Sequence, residues 1–563
     1  MRPAGRGPLD SLYFVYPDFE TKPPPRGVDR TAPVVVVGAG PVGMTAALTL
    51  ARYGVRSILL DVKNTFNDGS RATCLARASM QIFQQVGAVE PFLAHALGWT
   101  HGRSYYRGRQ ILRFEMPHSA DEKYLPMYNL QQQYTEQYLH DAVARTPLID
   151  MRWGHEVVSL DQSADGPSRL GVKTALGDYR IETGYVLAAD GARSPLRAML
   201  GLRLAGENYE GNYVIADVRM AHDFPTERRA FFDSAGNPGG TVLIHRQPDD
   251  IWRIDYQLRP GETAQTALRE DNIRARVQAI LGDIGHTTAW DLEWWSIYTA
   301  NTLCLDDYRC GRVFFIGDSA HIVPIFGVRG LNNGVADAQN IGWKLAYVLN
   351  GNANDRLLDS YTPERRGATL DVFANAGKST RFMTPPTPGW RLAREAALSL
   401  ALRHRFAGRL ADPRQMQPYT YADSPLSAHA HERRFSGGPP AGAAAPNARI
   451  GPGLYLLDRA GDGFTCIAFC EDALAPQTRA ALDAMKRRDP RLRTLTVARA
   501  CDGAPDTIPD PDGHVARIYD AAPQTFYLLR PDLHVAGRWR GPADDELMRE
   551  MAGTLETCLG GDA

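Results

Sequence analysis

Val34-Val-Val-Val-Gly38-Ala-Gly40-Pro-Val-Gly43 decides the fold of the segment that carries it. Four successive valines make a strand buried on both faces, and the glycines make the turn into a helix. Gly38 permits the tight turn, Gly40 lets backbone approach a pyrophosphate, and Gly43 lets the helix pack on the strand. Anion binding falls to the helix N-terminus, where unpaired N–H groups and the dipole favour negative charge. A second strand, Val55-Arg-Ser-Ile-Leu-Leu-Asp61, places Asp61 about twenty residues on, where it accepts hydrogen bonds from an adenosine ribose. An acid there favours the free 2′-hydroxyl of FAD or NAD over a 2′-phosphate.

Motifs far along the chain separate FAD from NAD. Tyr185-Val-Leu-Ala-Ala-Asp190 runs into Gly191-Ala-Arg193-Ser194-Pro-Leu-Arg197, and Arg312-Val-Phe-Phe-Ile-Gly317-Asp318 into Ser-Ala-His321. Strands that end in Asp-Gly or Gly-Asp suit a backbone passing close to a ligand whose hydroxyl the carboxylate takes. With Ser70-Arg71-Ala72, Gln132 and Glu136, and Gly330-Leu331-Asn332-Asn333-Gly334, the chain resembles the group A flavoprotein aromatic hydroxylases, the family of para-hydroxybenzoate and phenol hydroxylases. The resemblance spans roughly residues 33 to 370.

The resemblance implies a role for each matching position. Gly38, Gly40, Gly43 and Asp61 form the FAD fingerprint, and Gly317 with Asp318 places a carboxylate on the ribityl hydroxyls. Gly330, Leu331 and Asn332 open a helix whose amides face the N1–C2=O edge of the isoalloxazine. Arg71 and Gln132 hold the phosphates and ribityl chain, and Asp190 with Arg193 serves the fold and the pyridine nucleotide. His321 reads as a structural histidine. Where many relatives have two prolines, this chain has Pro324 and Ile325, leaving a backbone carbonyl as the available substrate contact. Arg329 either attracts a substrate carboxylate or the reduced flavin's charge, or is a solvated rim residue. NADPH or NADH is then a transient co-substrate that reduces FAD; O₂ adds at C4a, and the hydroperoxide hydroxylates a phenolic ring.

Composition fits an enzyme of several domains and excludes some partners. A chain of 563 residues, 44% hydrophobic, supports about three or four domains. A net charge of −1 without a basic block argues against nucleic acid. The most apolar stretch, Val34 to Ala51, is explained as strand plus helix, so no membrane span is expected. No signal-peptide pattern opens the chain, which reads as cytoplasmic. Seven cysteines, at 74, 304, 310, 466, 470, 501 and 558, form no CxxC and no zinc pattern, so free thiols and no metal are expected.

The expected architecture is α/β, a Rossmann-like FAD-binding domain with an interleaved β-sheet substrate domain and a C-terminal thioredoxin-like domain. Residues 1–30 read as an arm over the surface, and 31–205 and 301–385 as the two parts of the FAD domain, the first interrupted near Trp99 to Tyr128 by an aromatic, charged insert. Residues 206–300 alternate as strands and roof the substrate cavity; Tyr213, His245, Arg253 and Tyr256 are its candidates for binding or deprotonating the ring. Residues 386–446 are a helical segment and linker. Residues 447–563 resemble the thioredoxin-like domain of the phenol hydroxylase branch, but Cys466 and Cys470 are spaced CxxxC, so the redox dithiol is missing and a structural or dimer-stabilising role is expected, with a homodimer as the assembly. Baeyer–Villiger insertion and polyketide hydroxylation use the same flavin chemistry and stay open, as does a non-catalytic FAD-binding interaction protein. Flavin halogenation is disfavoured, since neither WxWxIP nor a clear active-site lysine is present.

Overall fold

The computed structural model describes residues 1–561 apart from 163–165, 260, 325–326, 413–416 and 501–505. Ile325, Phe326 and Cys501 therefore lie outside the described residues. Strand β1 (Val34–Val37), helix α1 (Pro41–Arg52) and β2 (Ser57–Asp61) form the expected unit, followed by β3 (Cys74–Ala76), β4 (His101–Tyr106), α2 (Gln132–Ala144) and β5 (Ile149–Trp153). The strand β6 (Tyr185–Ala188) leads to α3 (Pro195–Met199). A run of strands follows: β7 (Ala205–Arg219), β8 (Arg228–Ser234), β9 (Asn237–Arg246), β10 (Ile251–Gln257), then α4 (Glu270–Asp283) and β11 (Asp291–Cys304). The chain returns through β12 (Val313–Phe315), α5 (Gly330–Leu349), α6 (Tyr361–Met383) and α7 (Pro388–Ala401).

The first sheet is doubly wound, with β12, β6, β1, β2 and β5 side by side and parallel. All four β1 valines are buried, as strands covered on both faces require. The turn after β1 admits only glycine at two positions. Gly38 has φ +105°, and a Cβ there would lie 2.3 Å from the Ala189 carbonyl oxygen; one on Gly43 would lie 1.9 Å from that of Gly38.

The second sheet runs His321–Ile322, β11, β7, β10, β9, β8, β4, Arg109–Glu115. The insert near Trp99 to Tyr128 thus supplies its far edge, β4 lying parallel to β8. One face carries Val214, Ala216, Val218, Trp252, Ile254 and Tyr256, packed on Ile273, Val277 and Leu281 of α4. Side chains alternate, so the other face is left for the cavity. There Asp217 stands opposite Trp294 and Arg253, and Arg253 opposite His245. Arg228, one residue before the Arg229–Ile244 pair, completes a row across five strands.

The first residues do more than cover a surface. Arg2 and Arg6 both pair with Glu293 of β11, whose carboxylate also accepts from Ser11 Oγ at 2.6 Å and the Leu12 amide at 2.9 Å. Phe14 is buried, and Phe19 stacks on Trp153 with ring centroids 4.5 Å apart. A buried carboxylate needs such partners, and the arm brings them.

Beyond the linker, β13 (Thr465–Cys470), α8 (Pro476–Arg488), β14 (Arg493–Ala498), β15 (Thr525–Leu529), β16 (Val535–Arg540) and α9 (Asp545–Cys558) build a third layer, with sheet order Thr507–Pro509, β14, β13, β15, β16. Cys466 and Cys470 share one strand, and burial pushes the Cys466 thiol up to about 12. Cys74, Cys304, Cys310, Cys466 and Cys558 are free thiols. A fully buried cluster ties this layer to the FAD-binding helices: Arg530 and Lys344 meet Glu364, each at 2.6 Å, and Trp343 Nε1 donates to Asp532 at 3.2 Å.

Candidate active site

The C-terminal ends of β1, β6 and β12 open onto one cavity of about 770 Å³, whose other wall is the second sheet. Open α/β sheets place ligands at that end of their strands. Gly38, Gly40, Asp61, Arg71, Gln132, Asp190, Asp318, Gly330, Leu331, Asn332 and Pro324 all line it. Gly43 and Gly317 sit just behind, Gly317 with φ +63° at the foot of Asp318.

The wall fits a dinucleotide. A Cβ on Gly40 would meet nothing within 4 Å, which leaves room for a pyrophosphate at the start of α1. Asp190 Oδ2 accepts from the Leu196 amide at 3.0 Å while its buried Oδ1 has no partner among the described residues. Asp318 is enclosed by protein yet exposed, because what it faces is the cavity; burial raises its carboxyl above the usual range. Asp61 is held by the amides of Ala39 at 2.8 Å and Lys63 at 2.9 Å. The first-turn amides of α5 have no intrahelical acceptors and are available to an anionic ring edge.

Several motif residues hold the cradle together. Gln132 accepts from the Ala72 amide at 3.2 Å and donates to Glu136, one turn along α2, at 2.7 Å. Arg71 has φ +37° and pairs with Asp68 at 3.0 Å, an uncommon backbone state for a non-glycine residue beside a ligand site. The Asn332 side chain is spent on the Ala76 amide, Ser79 and the Cys74 carbonyl, pinning α5 to β3. Arg197 reaches the Ser319 carbonyl at 3.0 Å and so joins the Asp-Gly and Gly-Asp motifs. His321 meets Asp337 at 2.7 Å in a buried network with Arg365, as a structural histidine does. Arg329 is buried rather than solvated, 3.3 Å from the Val372 carbonyl. Arg193 is exposed on the cavity's lip.

Of the four roof candidates, His245 and Arg253 line the cavity. Tyr256 does not: three residues from Arg253, it points to the opposite face and packs under α4. Tyr213 shares the cavity face but lies four residues beyond Asp217, sealed by Thr384 at 3.0 Å and the Met383 carbonyl. The structure adds Asp255, whose Oδ1 accepts from Arg253 Nε at 2.9 Å, and Arg228, both lining the cavity. Asp255 was legible by parity, two residues from Arg253 on one strand. Burial and the charges of Arg228 and Arg253 hold His245 well below the usual imidazole range, so it is neutral, and its Nδ1 has no partner among the described residues.

Asp318→Ala is expected to weaken FAD binding about ten- to hundredfold, the loss of a hydrogen bond to a charged group. Its carboxylate accepts no hydrogen bond from the described residues, so the fold should stay intact. Equilibrium dialysis decides, and unchanged affinity would remove the assigned ribityl contact.

Comparisons with known proteins agree with this geometry. Residues 31–376 match the FAD binding domain family. A 3-(3-hydroxy-phenyl)propionate/3-hydroxycinnamic acid hydroxylase of Mycobacterium sp. (strain JLS) is 27% identical over 547 residues, covering 95% of this chain and 94% of the relative. One of the same description from Burkholderia vietnamiensis (strain G4 / LMG 22486) is 28% identical and covers 99% and 96%. The fold is shared with the flavin-dependent monooxygenase PieE, solved with FAD and substrate, at TM-score 0.77, 24% identity and coverage of 94% and 99%.

Proposed function

Because the chain belongs to the FAD binding domain family, that of the group A flavoprotein aromatic hydroxylases, we propose that it hydroxylates a phenolic ring held between the dinucleotide wall and the sheet roof. The observation that carries this is His245, a neutral imidazole with an open Nδ1 in the same cavity as the FAD cradle. When bound, FAD supplies the redox chemistry, taking hydride from NADPH or NADH and passing one atom of O₂ to the ring.

The chain's own residues prepare the ring. His245 Nδ1 accepts the phenol's hydrogen, and the guanidinium of Arg253 on the adjoining strand favours the phenolate, the more electron-rich form. The first turn of α5 favours negative charge on the reduced cofactor's edge. Tyr298 donates to the Val323 carbonyl at 2.6 Å, fixing the loop whose Pro324 faces the cavity. Enclosure by the two sheets keeps water from the reacting centre.

Labelling with ¹⁸O₂ tests the reaction class, with phenolic acids first in the panel because the curated relatives are named for them. One labelled oxygen on the ring is expected. A labelled ester oxygen would replace the reading with Baeyer–Villiger insertion, and label in H₂O₂ alone with every phenol would remove it.

The same reading has the enzyme act in the cytoplasm as a homodimer. No helix among the described residues is long and apolar enough to cross a membrane. Exposed Trp390, Leu392, Phe406 and Leu410, on and just beyond α7, offer apolar surface for pairing.

A further inference from the structure

We propose that Arg228 receives a carboxylate carried by the aromatic substrate and so selects phenolic acids, an inference that rests on reading the cavity as a site of phenol hydroxylation. Arg228 opens β8, is 2% exposed and lines the cavity beside His245. Its Nε and Nη1 have no hydrogen-bond partner, and it forms no ion pair among the described residues. A buried guanidinium without a counter-ion is costly, and buried polar groups left open in native structures call for a specific partner.

No neighbour among the described residues supplies that partner. Asp255 is committed to Arg253 at 2.9 Å. Cys74 directs its thiol to Asn129 Oδ1 at 3.1 Å, and burial raises it to about 11, so it stays neutral. His245 is neutral as well. Asp412 attracts Arg228, and no ion pair joins the two among the described residues. Asp217 stands three strands away across the sheet, about 14 Å at ordinary strand spacing. Arg228, Arg253 and Asp255 together leave one positive charge, which one ligand anion cancels. A phenol enters neutral, whereas a carboxylate enters ionised and neutralises the guanidinium on arrival. The remaining polar group of such a substrate, its hydroxyl, is then left for His245 on the neighbouring strand.

The test uses FAD-loaded enzyme titrated with 3-hydroxybenzoate, (3-hydroxyphenyl)acetate, 3-(3-hydroxyphenyl)propionate and the three matching carboxamides, followed by flavin absorbance. At least one acid is expected to bind about 30-fold or more tightly than its amide. Arg228→Met should erase that preference and leave the amide's affinity within about threefold, while Arg228→Lys keeps part of it. Without ligand, Arg228→Met should resist urea at least as well as wild type, since no pair is broken. If Arg228→Met does not fold, Arg228→Gln takes its place. Equal binding of every acid and its amide, or a preference that survives in Arg228→Met or Arg228→Gln, overturns the assignment. Acid preference lost in the variant, but no ring label from ¹⁸O₂, would instead overturn hydroxylation and leave Arg228 as a carboxylate receptor.

Discussion

Glu364→Ala is expected to destabilise the protein by about 3–5 kcal/mol, the cost of stranding buried charge. The Glu364 carboxylate accepts from Arg530 at 2.6 and 3.0 Å, Lys344 at 2.6 Å, Asn340 at 2.7 Å and Ser424 at 2.6 Å, and none of the three charged groups reaches solvent. Arg530 would keep Asp532, but Lys344 would lose its one ion-pair partner among the described residues. Burial already pulls Lys344 down to about 8, so without Glu364 it would shed its proton. Urea unfolding checks the size, and a loss under 1 kcal/mol would contradict it. Glu364→Met with Lys344→Met should recover part of the loss, because it replaces a broken pair with apolar surface. Arg530 and Lys344 also hold Glu364 far below the usual carboxylate range. A depressed carboxyl gives stability that is present above its unfolded value, near 4.5, and lost as pH falls through the folded one, so the variant should show a weaker acid-dependent loss. Asn340, Trp343 and Lys344 lie on α5, whose first turn faces the cavity. Melting this cluster should therefore release FAD along with the third layer.

What the sequence makes legible is what is local. The turn at Gly38 to Gly43, the acid at 61 and the two strand-end motifs each depend on a few neighbouring residues, and the fold brings them to one cavity. Gln132 and Glu136 were readable for the same reason, a single helical turn. The roof was half readable. Parity alone rules that Arg253 and Tyr256 face opposite ways and that Asp255 joins Arg253, but which face meets the cavity depends on α4 covering the other side. Tyr213 passes the parity test and still fails, because the chain after α6 closes over it. Arg228 carried no signal at all: a basic residue at the start of a strand is ordinary until its donors are found buried and unmatched. Glu364 and Arg530, 166 residues apart, meet only through packing of the third layer. The opening arm shows the same limit, since nothing near Arg2 or Arg6 announces Glu293.

His245→Leu is expected to lower kcat/KM for phenols by about 10²–10³, the ordinary contribution of a positioned proton acceptor. Reduction of the flavin by NADPH or NADH in the absence of substrate should be unchanged, because the imidazole lies on the roof and not on the dinucleotide wall. The groups facing it are Arg228, Arg253 and Asp255; the two guanidiniums and burial lower its pKa, and the deprotonated ring is the active form. The acid limb of the wild-type kcat/KM profile should consequently fall below pH 6.5, histidine's ordinary value. Leucine removes the acceptor but leaves both positive charges, so phenols that already ionise near neutral pH should lose least in the variant, and those with ordinary phenolic pKa values near 10 should lose most. A uniform loss across that series would point to altered substrate positioning rather than proton acceptance, and no loss would take His245 out of the reaction.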